Sequence, residues 1–305
     1  DGTWIYTPGK DYNGGDSFTV TVSDGHGGTT TTTVNVGINA TPDAAVISST
    51  GATGSVTEDN AVNASGDLST GGKLTVTDPD AGEAGFQTQT GTAGSYGTFT
   101  LGADGTWTYV ADNSQTAVQG LSSGQSLTET FTVKSIDGTS STVTVTIHGS
   151  DDAAVISSSG TTGSVTEDVG VNASDKLTTS GKLSVSDADA GQAAFEPQTG
   201  TAGTYGNFTV AADGTWTYAA NNSQVAVQAL GDGQSLTETF TVKSVDGTSA
   251  TVTVTIHGTN DATIISAVGT TGSVTEDVAV NGVGELTTTG TLTATDTDGG
   301  QTGFQ

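Results

Sequence analysis

The chain of 305 residues contains no cysteine, no methionine and no arginine, and only six lysines against 33 acidic residues. Without cysteine there are no disulfides and no metal–thiolate sites, so small cores would need another staple. The net charge of −27 sets the chain against nucleic-acid phosphates and anionic membrane surfaces, both of which attract clustered lysine and arginine. Neither is an expected partner. No run of about eighteen apolar residues occurs, so no helical membrane span is expected. Apolar residues are sparse at 32 %, yet they fall in short alternating runs, which argues against disorder.

What is present is repetition. The hexapeptide GSVTED begins at Gly54, Gly163 and Gly272, a period of 109 residues with no insertion between landmarks. DGTW recurs from Asp104 to Asp213, and TVTVTIHG ends at Gly149 and again at Gly258. A period of this size is that of one compact domain, and such arrays spread their task along the chain instead of gathering it in one pocket. The expected divisions are 1–42, the second half of a shorter related repeat; 43–151 and 152–260, two complete repeats; and 261–305, the first part of another. In the head, Trp4 to Phe18 spans 14 residues where Trp107 to Phe131 spans 24. The chain starts on Asp1 and stops within a repeat, as expected for a piece of a longer array.

Within a repeat the alternation has period two. Val143, Val145 and Ile147 fall on one face of their run, as do Val252, Val254 and Ile256, with threonines opposite; branched residues of both kinds favour strands. Around the Asp104-Gly105 turn, Phe99 and Leu101 lead into Trp107 and Tyr109 on the same side, a hairpin signature. Only the runs 113–121 and 222–230 lean helical. The expected fold is all-β: tandem antiparallel β-sandwiches strung as a rod.

The acids recur at fixed places. Glu58-Asp59, Glu167-Asp168 and Glu276-Asp277 stand near the start of each repeat, followed by the Asp-x-Asp pairs Asp78/Asp80, Asp187/Asp189 and Asp296/Asp298. Asp24, Asp137 and Asp246 occupy Asp-Gly turns near the end, and Asp43, Asp151, Asp152, Asn260 and Asp261 lie at the junctions. Turns at one pole of a sandwich can gather these groups at a linker, where their repulsion calls for a cation; Ca²⁺, which takes six to eight oxygen ligands, suits them. Aspartate is also an ordinary turn former, and the non-recurring Asp67, Glu83, Glu196 and Asp232 read as solvated charge.

These motifs taken in order, SVTED, KLSVSDADAG, YG-x-F…DG-x-W-x-Y, LTETFTVKSVDGT and GTNDA, resemble VCBS repeats, a bacterial family of cadherin-like and immunoglobulin-like modules, over residues 44–305. The head is similar to the cadherin-like repeats that often neighbour them. The resemblance implies secretion to the bacterial surface, membership of a large RTX-type adhesin that supports attachment and biofilm formation, and calcium at interdomain linkers. It also marks a departure: TPDA at the first junction, where the third has TNDA, implies a depleted ligand set there.

Other classes fit less well. Glycosidase chemistry wants two carboxylates about 5–10 Å apart in a cleft, which Glu58 with Asp59 or Asp78 would supply. A catalytic triad would have to draw on His26, His148 or His257, and the last two end the same repeated strand, as scaffold positions do. An enzyme is not expected. A carbohydrate- or protein-binding module would need exposed aromatics, whereas Trp107 and Trp216 alternate on a core face. The remaining alternative is a filament or matrix fibre, with like chains as partners or with one chain's tail completing another's head. Otherwise the expected partners are neighbouring repeats of the same chain, acting as an extracellular spacer.

Overall fold

The computed structural model describes residues 2–304, which divide into two compact units, Asp1–Ser150 and Asp151–Gln305. In the first unit, β1 (Gly14–Ser23) and β2 (Thr29–Ile38) form a ten-residue antiparallel hairpin. Trp4 sits edge-on to Phe18, their ring centroids 5.5 Å apart.

The first full repeat follows. One sheet holds β5 (Asp67–Lys73), β9 (Thr106–Asp112), β8 (Gly97–Leu101) and β7 (Gln89–Ala93), in that order. The other holds β10 (Ser126–Lys134), β11 (Ser140–His148) and β4 (Thr53–Thr57). Two-residue strands β3 (Val46–Ile47) and β6 (Val76–Thr77) pair at one end, and a four-residue helix α1 (Thr116–Gln119) sits in the helix-leaning run.

The second unit repeats this layout with β12 (Val155–Ile156), β13 (Thr162–Thr166), β14 (Lys176–Lys182), β15 (Val185–Ser186), β16 (Gln198–Ala202), β17 (Gly206–Val210), β18 (Thr215–Asn221), α2 (Val225–Gln228), β19 (Ser235–Lys243) and β20 (Ser249–His257). The fold is the expected tandem of sandwiches, with one difference. β4 runs parallel to β11, and β13 parallel to β20, while the other strand pairs are antiparallel. Alternation tells which face of a strand is buried and nothing about its neighbour's direction, so this pairing had no sequence signal.

Between the sheets lies the expected core. Trp107 and Tyr109, and their copies Trp216 and Tyr218, are fully buried. Phe99 stacks on Phe131 across the sandwich at 4.7 Å, as Phe208 does on Phe240. The glycine of GSVTED has a packing reason: a Cβ on Gly54 would lie 2.6 Å from the Trp107 ring, and one on Gly163 2.5 Å from that of Trp216. Each indole N–H then donates to a carbonyl, of Gly51 or Gly160, at 2.8 Å.

A tie between the sheets was not foreseen. Glu129, on β10, is buried; it accepts the Tyr109 hydroxyl on one oxygen and the backbone N–H groups of Ser95 and Tyr96 on the other. Glu238 repeats this with Tyr218, Thr204 and Tyr205. A buried carboxylate survives only when satisfied in this way. The arrangement, with burial first and the acidic partner second, pushes the Tyr109 and Tyr218 phenols far above their ordinary value.

Residues 261–304 form only β21 (Ile264–Ile265) and β22 (Ala294–Thr295). Val274, the counterpart of the buried Val56 and Val165, is 49 % exposed.

Trp216→Ala should destabilise the second sandwich by about 3–5 kcal/mol, and Tyr218→Phe, which strips Glu238 of a buried donor, by about 1–3 kcal/mol. Chemical denaturation checks both. Losses within measurement error would contradict the assignment of these residues to the core and to the inter-sheet tie.

Candidate metal centre

Every repeat carries its acids at two poles. At the leading pole of the first, Asp43 N–H donates to Asp80 Oδ2 at 2.7 Å and Asp80 N–H to Asp78 Oδ1 at 2.8 Å. The second repeats this with Asp152, Asp189 and Asp187 at 2.7 and 2.9 Å; the third with Asp261, Asp298 and Asp296 at 2.8 and 2.9 Å. The Asp-x-Asp pair is thus a turn whose second aspartate grips the incoming junction. Each gripping oxygen leaves its partner oxygen pointing elsewhere. Asp189 and Asp298 are both only 2 % exposed, and Oδ1 of each has no hydrogen-bond partner among the described residues; the same holds for the buried Oδ2 of Asp78 and Asp187.

Glu83, which the sequence reading set aside, joins this pole. Ligand oxygens of Asp78, Asp80 and Glu83 lie within 4.8 Å of one another. Burial, and then the charges of Asp80, Asp78 and Asp137, push the Glu83 carboxyl up. Glutamine occupies the matching positions Gln192 and Gln301, so Glu83 lacked the recurrence that marks the other acids. Within the same unit a cleft of about 360 Å³ is lined by Lys10, Asp11, Asp43 and Asp78, among others. The Lys10 ammonium, 3.3 Å from Asp11 Oδ2, brings a positive charge of the chain's own to the first junction.

Asp137 and Asp246 stand beside the leading poles as braces. The Asp137 carboxylate accepts the Ser135 and Thr139 hydroxyls, the Thr139 N–H and, on Oδ2 at 3.1 Å, the Ala45 N–H. Asp246 does the same with Ser244, Thr248 and Ala154. These bonds, the serine hydroxyl's foremost, hold both carboxyls far below the usual range. Asp24 has the simpler task of closing the β1–β2 turn, accepting the His26 and Gly28 N–H groups at 2.8 Å each.

The trailing pole is built on the end of GSVTED. Glu58 and Glu167 are each 1 % exposed. Their N–H groups donate to the His148 and His257 carbonyls at 3.0 and 2.9 Å. One carboxylate oxygen of each takes the N–H of the departing chain, Ser150 at 2.8 Å and Thr259 at 2.9 Å. Asp59 and Asp168 follow with φ of 55° and 59°, a left-handed conformation aspartate tolerates better than most residues. Asp277 shares it at 60°, and there Glu276 and Asp277 are exposed.

A neutral network aims the second acid. Asn222 Nδ2 and Gln228 Nε2 donate to Asp168 Oδ1 at 2.7 and 3.1 Å, and Asp168 N–H returns to Asn222 Oδ1 at 3.0 Å. Asn113 and Gln119 treat Asp59 identically. Sequence reading passed over these amides, although they recur at the same 109-residue spacing; Gln119 and Gln228 are the last residues of α1 and α2, each of which also buries a valine in the core.

In the second unit the two kinds of pole come together. Glu167, Asp168, Asp261 and Asp298 lie close enough for their charges to act on one another. Burial, followed by the charges of Asp168, Asp261 and Asp298, raises the Glu167 carboxyl. Burial, then Asp168 and Asp298, raises that of Asp261. Asp168 alone is lowered, by Asn222 and Gln228. Asn260 Nδ2 donates to the Asp261 carbonyl at 2.8 Å and steadies the junction. Glu167 Oε2, like Asp298 Oδ1, is buried without a hydrogen-bond partner among the described residues.

By its chemistry this set suits a hard divalent cation, although among the described residues it is Asp78, Asp80 and Glu83 of the first unit that bring three ligand oxygens within 4.8 Å of one another. It consists of oxygens only, several of them anionic, and two of those are buried and unsatisfied, a state that costs several kcal/mol unless a charge compensates it. Calcium accepts many oxygens in loose geometry, whereas magnesium keeps most of its water, so a multi-carboxylate protein site favours calcium. When bound, the ion would supply positive charge to Glu167, Asp168, Asp261 and Asp298.

The shifts have opposite signs with pH. A raised carboxyl such as Glu167 contributes stability below its unfolded value, about 4.3, that is lost as pH rises through its folded value; the lowered Asp246 contributes above about 3.9 and loses its contribution as pH falls. In chelator, the Glu167 carboxyl should therefore titrate above the ordinary glutamate range, and calcium should move it down. Carboxyl carbon NMR of selectively labelled protein reads this directly. A Glu167 midpoint at or below the ordinary value in chelator would contradict the crowded site.

Comparison with known proteins gives the chain its place. The bacterial cadherin-like domain matches residues 42–149 and 151–258, and the bacterial Ig domain residues 1–37. No curated protein matches the chain. Among solved structures, the protocadherin γB4 extracellular domain is 16 % identical over 93 % of this chain and 43 % of its own, with a TM-score of 0.46. PcdhgB3 EC1-4 is 16 % identical over 80 % of this chain and 57 % of its own, at 0.42. The human desmocollin-1 ectodomain is 16 % identical over 83 % and 45 %, at 0.30. The chain thus spans about half the length of these structures, and at such identities the likeness concerns the fold alone. Two complete repeats matched end to end make this chain a member of the bacterial cadherin-like domain family.

Proposed function

We propose that the chain is a length of extracellular spacer from a bacterial surface adhesin, stiffened where Ca²⁺ fills the acid clusters between modules. The observations that carry this reading are the acid cluster of Asp78, Asp80 and Glu83, whose ligand oxygens lie within 4.8 Å of one another, and the buried Glu167 Oε2 and Asp298 Oδ1, which lack a hydrogen-bond partner among the described residues. A tandem of cadherin-like and Ig-like domains suits a structural or adhesive task, and this family is in general not enzymatic. Trp107 and Trp216 are buried, so neither offers a stacking platform for sugar. Among the described residues no helix is long and apolar enough to cross a membrane.

The same acids give the stiffening a direction. Extracellular calcium modules bind with dissociation constants of about 10⁻⁴–10⁻³ M, so the junctions would be loose in a calcium-poor cytoplasm and locked once outside. The locked state would hold a recognition domain away from the cell surface, in support of attachment and biofilm formation. The residues proposed to hold the ions are the recurring acids. At the first junction Pro42 stands where the third has Asn260, while Asp78, Asp80 and Glu83 remain to hold an ion.

Small-angle scattering of residues 1–305 should show a longer maximum dimension and a narrower range of bends in millimolar Ca²⁺ than in EDTA. Asp261→Ala should remove most of the change contributed by its junction while both complete sandwiches stay folded by circular dichroism. Profiles that superimpose with and without EDTA would refute the reading.

A further inference from the structure

The parallel ladders noted above have a mechanical meaning, because they join the first long strand of each repeat to its last. In the second repeat the chain arrives at the leading pole, where Ala154 N–H is held by Asp246, and leaves from the trailing pole, where Thr259 N–H is held by Glu167. β13 and β20 both run from the first pole towards the second, in register from Thr162↔Thr253 to Thr166↔His257. The first repeat has the same plan, with Thr53↔Thr144 to Thr57↔His148. A pull on the two ends of a repeat therefore drags its first strand backwards and its last strand forwards. Parallel neighbours loaded at opposite ends slide along each other, so all their hydrogen bonds carry the force together.

The ladder is closed at both ends. Thr253 N–H donates to the Thr161 carbonyl at 2.8 Å, and Glu167 N–H to the His257 carbonyl at 2.9 Å. Beyond the last rung, the Glu167 carboxylate holds Thr259 N–H, which fastens the departing chain to the end of β13. Beneath it Val165, Val254 and Ile256 are buried in the core, so sliding would also drag apolar side chains out of register. The two-residue pair β12–β15, which lies before this ladder along the chain, is too short to resist comparably.

We propose that β4–β11 and β13–β20 are shear clamps, which make each repeat resist tension along the chain far better than tension across it. The inference builds on the spacer reading, since a chain held between a cell and a surface is pulled along its length. It does not need calcium: backbone bonds, a core and a glutamate latch, all of this chain, make the clamp.

The absence of cysteine allows handles to be placed at will. In the full chain, the exposed pair Ala153→Cys and Ala262→Cys loads the second repeat from end to end. Thr162→Cys and Thr251→Cys, exposed and near the same end of the ladder, pulls β13 and β20 apart one rung at a time. Single-molecule force spectroscopy in EDTA should give a several-fold higher rupture force for the first pair than for the second, with the released length, about 3.6 Å per residue, identifying the event. Circular dichroism before attachment confirms that both variants are folded. Equal forces in the two geometries would overturn the clamp. Anisotropy in EDTA together with scattering that ignores calcium would leave the clamp standing and sink the calcium reading, so the two fail separately.

Discussion

The carboxylate of Glu167 has one oxygen fixed on the Thr259 amide and the other buried without a hydrogen-bond partner among the described residues. Most of what is particular to this chain depends on that placement. A charge held at 1 % exposure is tolerable only with compensation, and one backbone amide is too little. The repeat thus carries a standing demand for positive charge at the point where it meets the next module.

The hexapeptide GSVTED condenses the whole arrangement. Its glycine lets the strand pass against the core tryptophan, and its valine is buried on the core face. Its glutamate N–H makes the last bond to the final strand while its side chain latches the outgoing chain, and its aspartate takes up the left-handed turn that Asn222 and Gln228 stabilise. Core packing, the parallel ladder and the acidic pole therefore share six consecutive residues. A change that loosens the strand displaces the acids, which lie directly on the ladder's last rung.

Much of this was legible in the sequence. Alternation marked Val143, Val145 and Ile147 as core, and the turn around Asp104-Gly105 put Trp107 and Tyr109 on one buried face. Recurrence singled out the acids at both poles. What escaped had physical reasons. Parallel pairing of β4 and β11 leaves no mark on alternation. Glu129 and Glu238 look like any solvent-facing residue of a threonine-rich strand until the Tyr109 and Tyr218 hydroxyls are seen to reach them. Glu83 was discounted because glutamine replaces it in the other repeats, and the amides of Asn113, Gln119, Asn222 and Gln228 because neutral side chains do not stand out in an acidic chain.

The central claim is that a divalent cation compensates the buried acids between modules. A crystal structure of this chain grown in millimolar Ca²⁺, with anomalous data, tests it most directly. The account predicts a calcium peak about 2.3–2.6 Å from Glu167 Oε2 and Asp298 Oδ1. Those oxygens bound only to water or to a proton, with no anomalous peak between them, would contradict it.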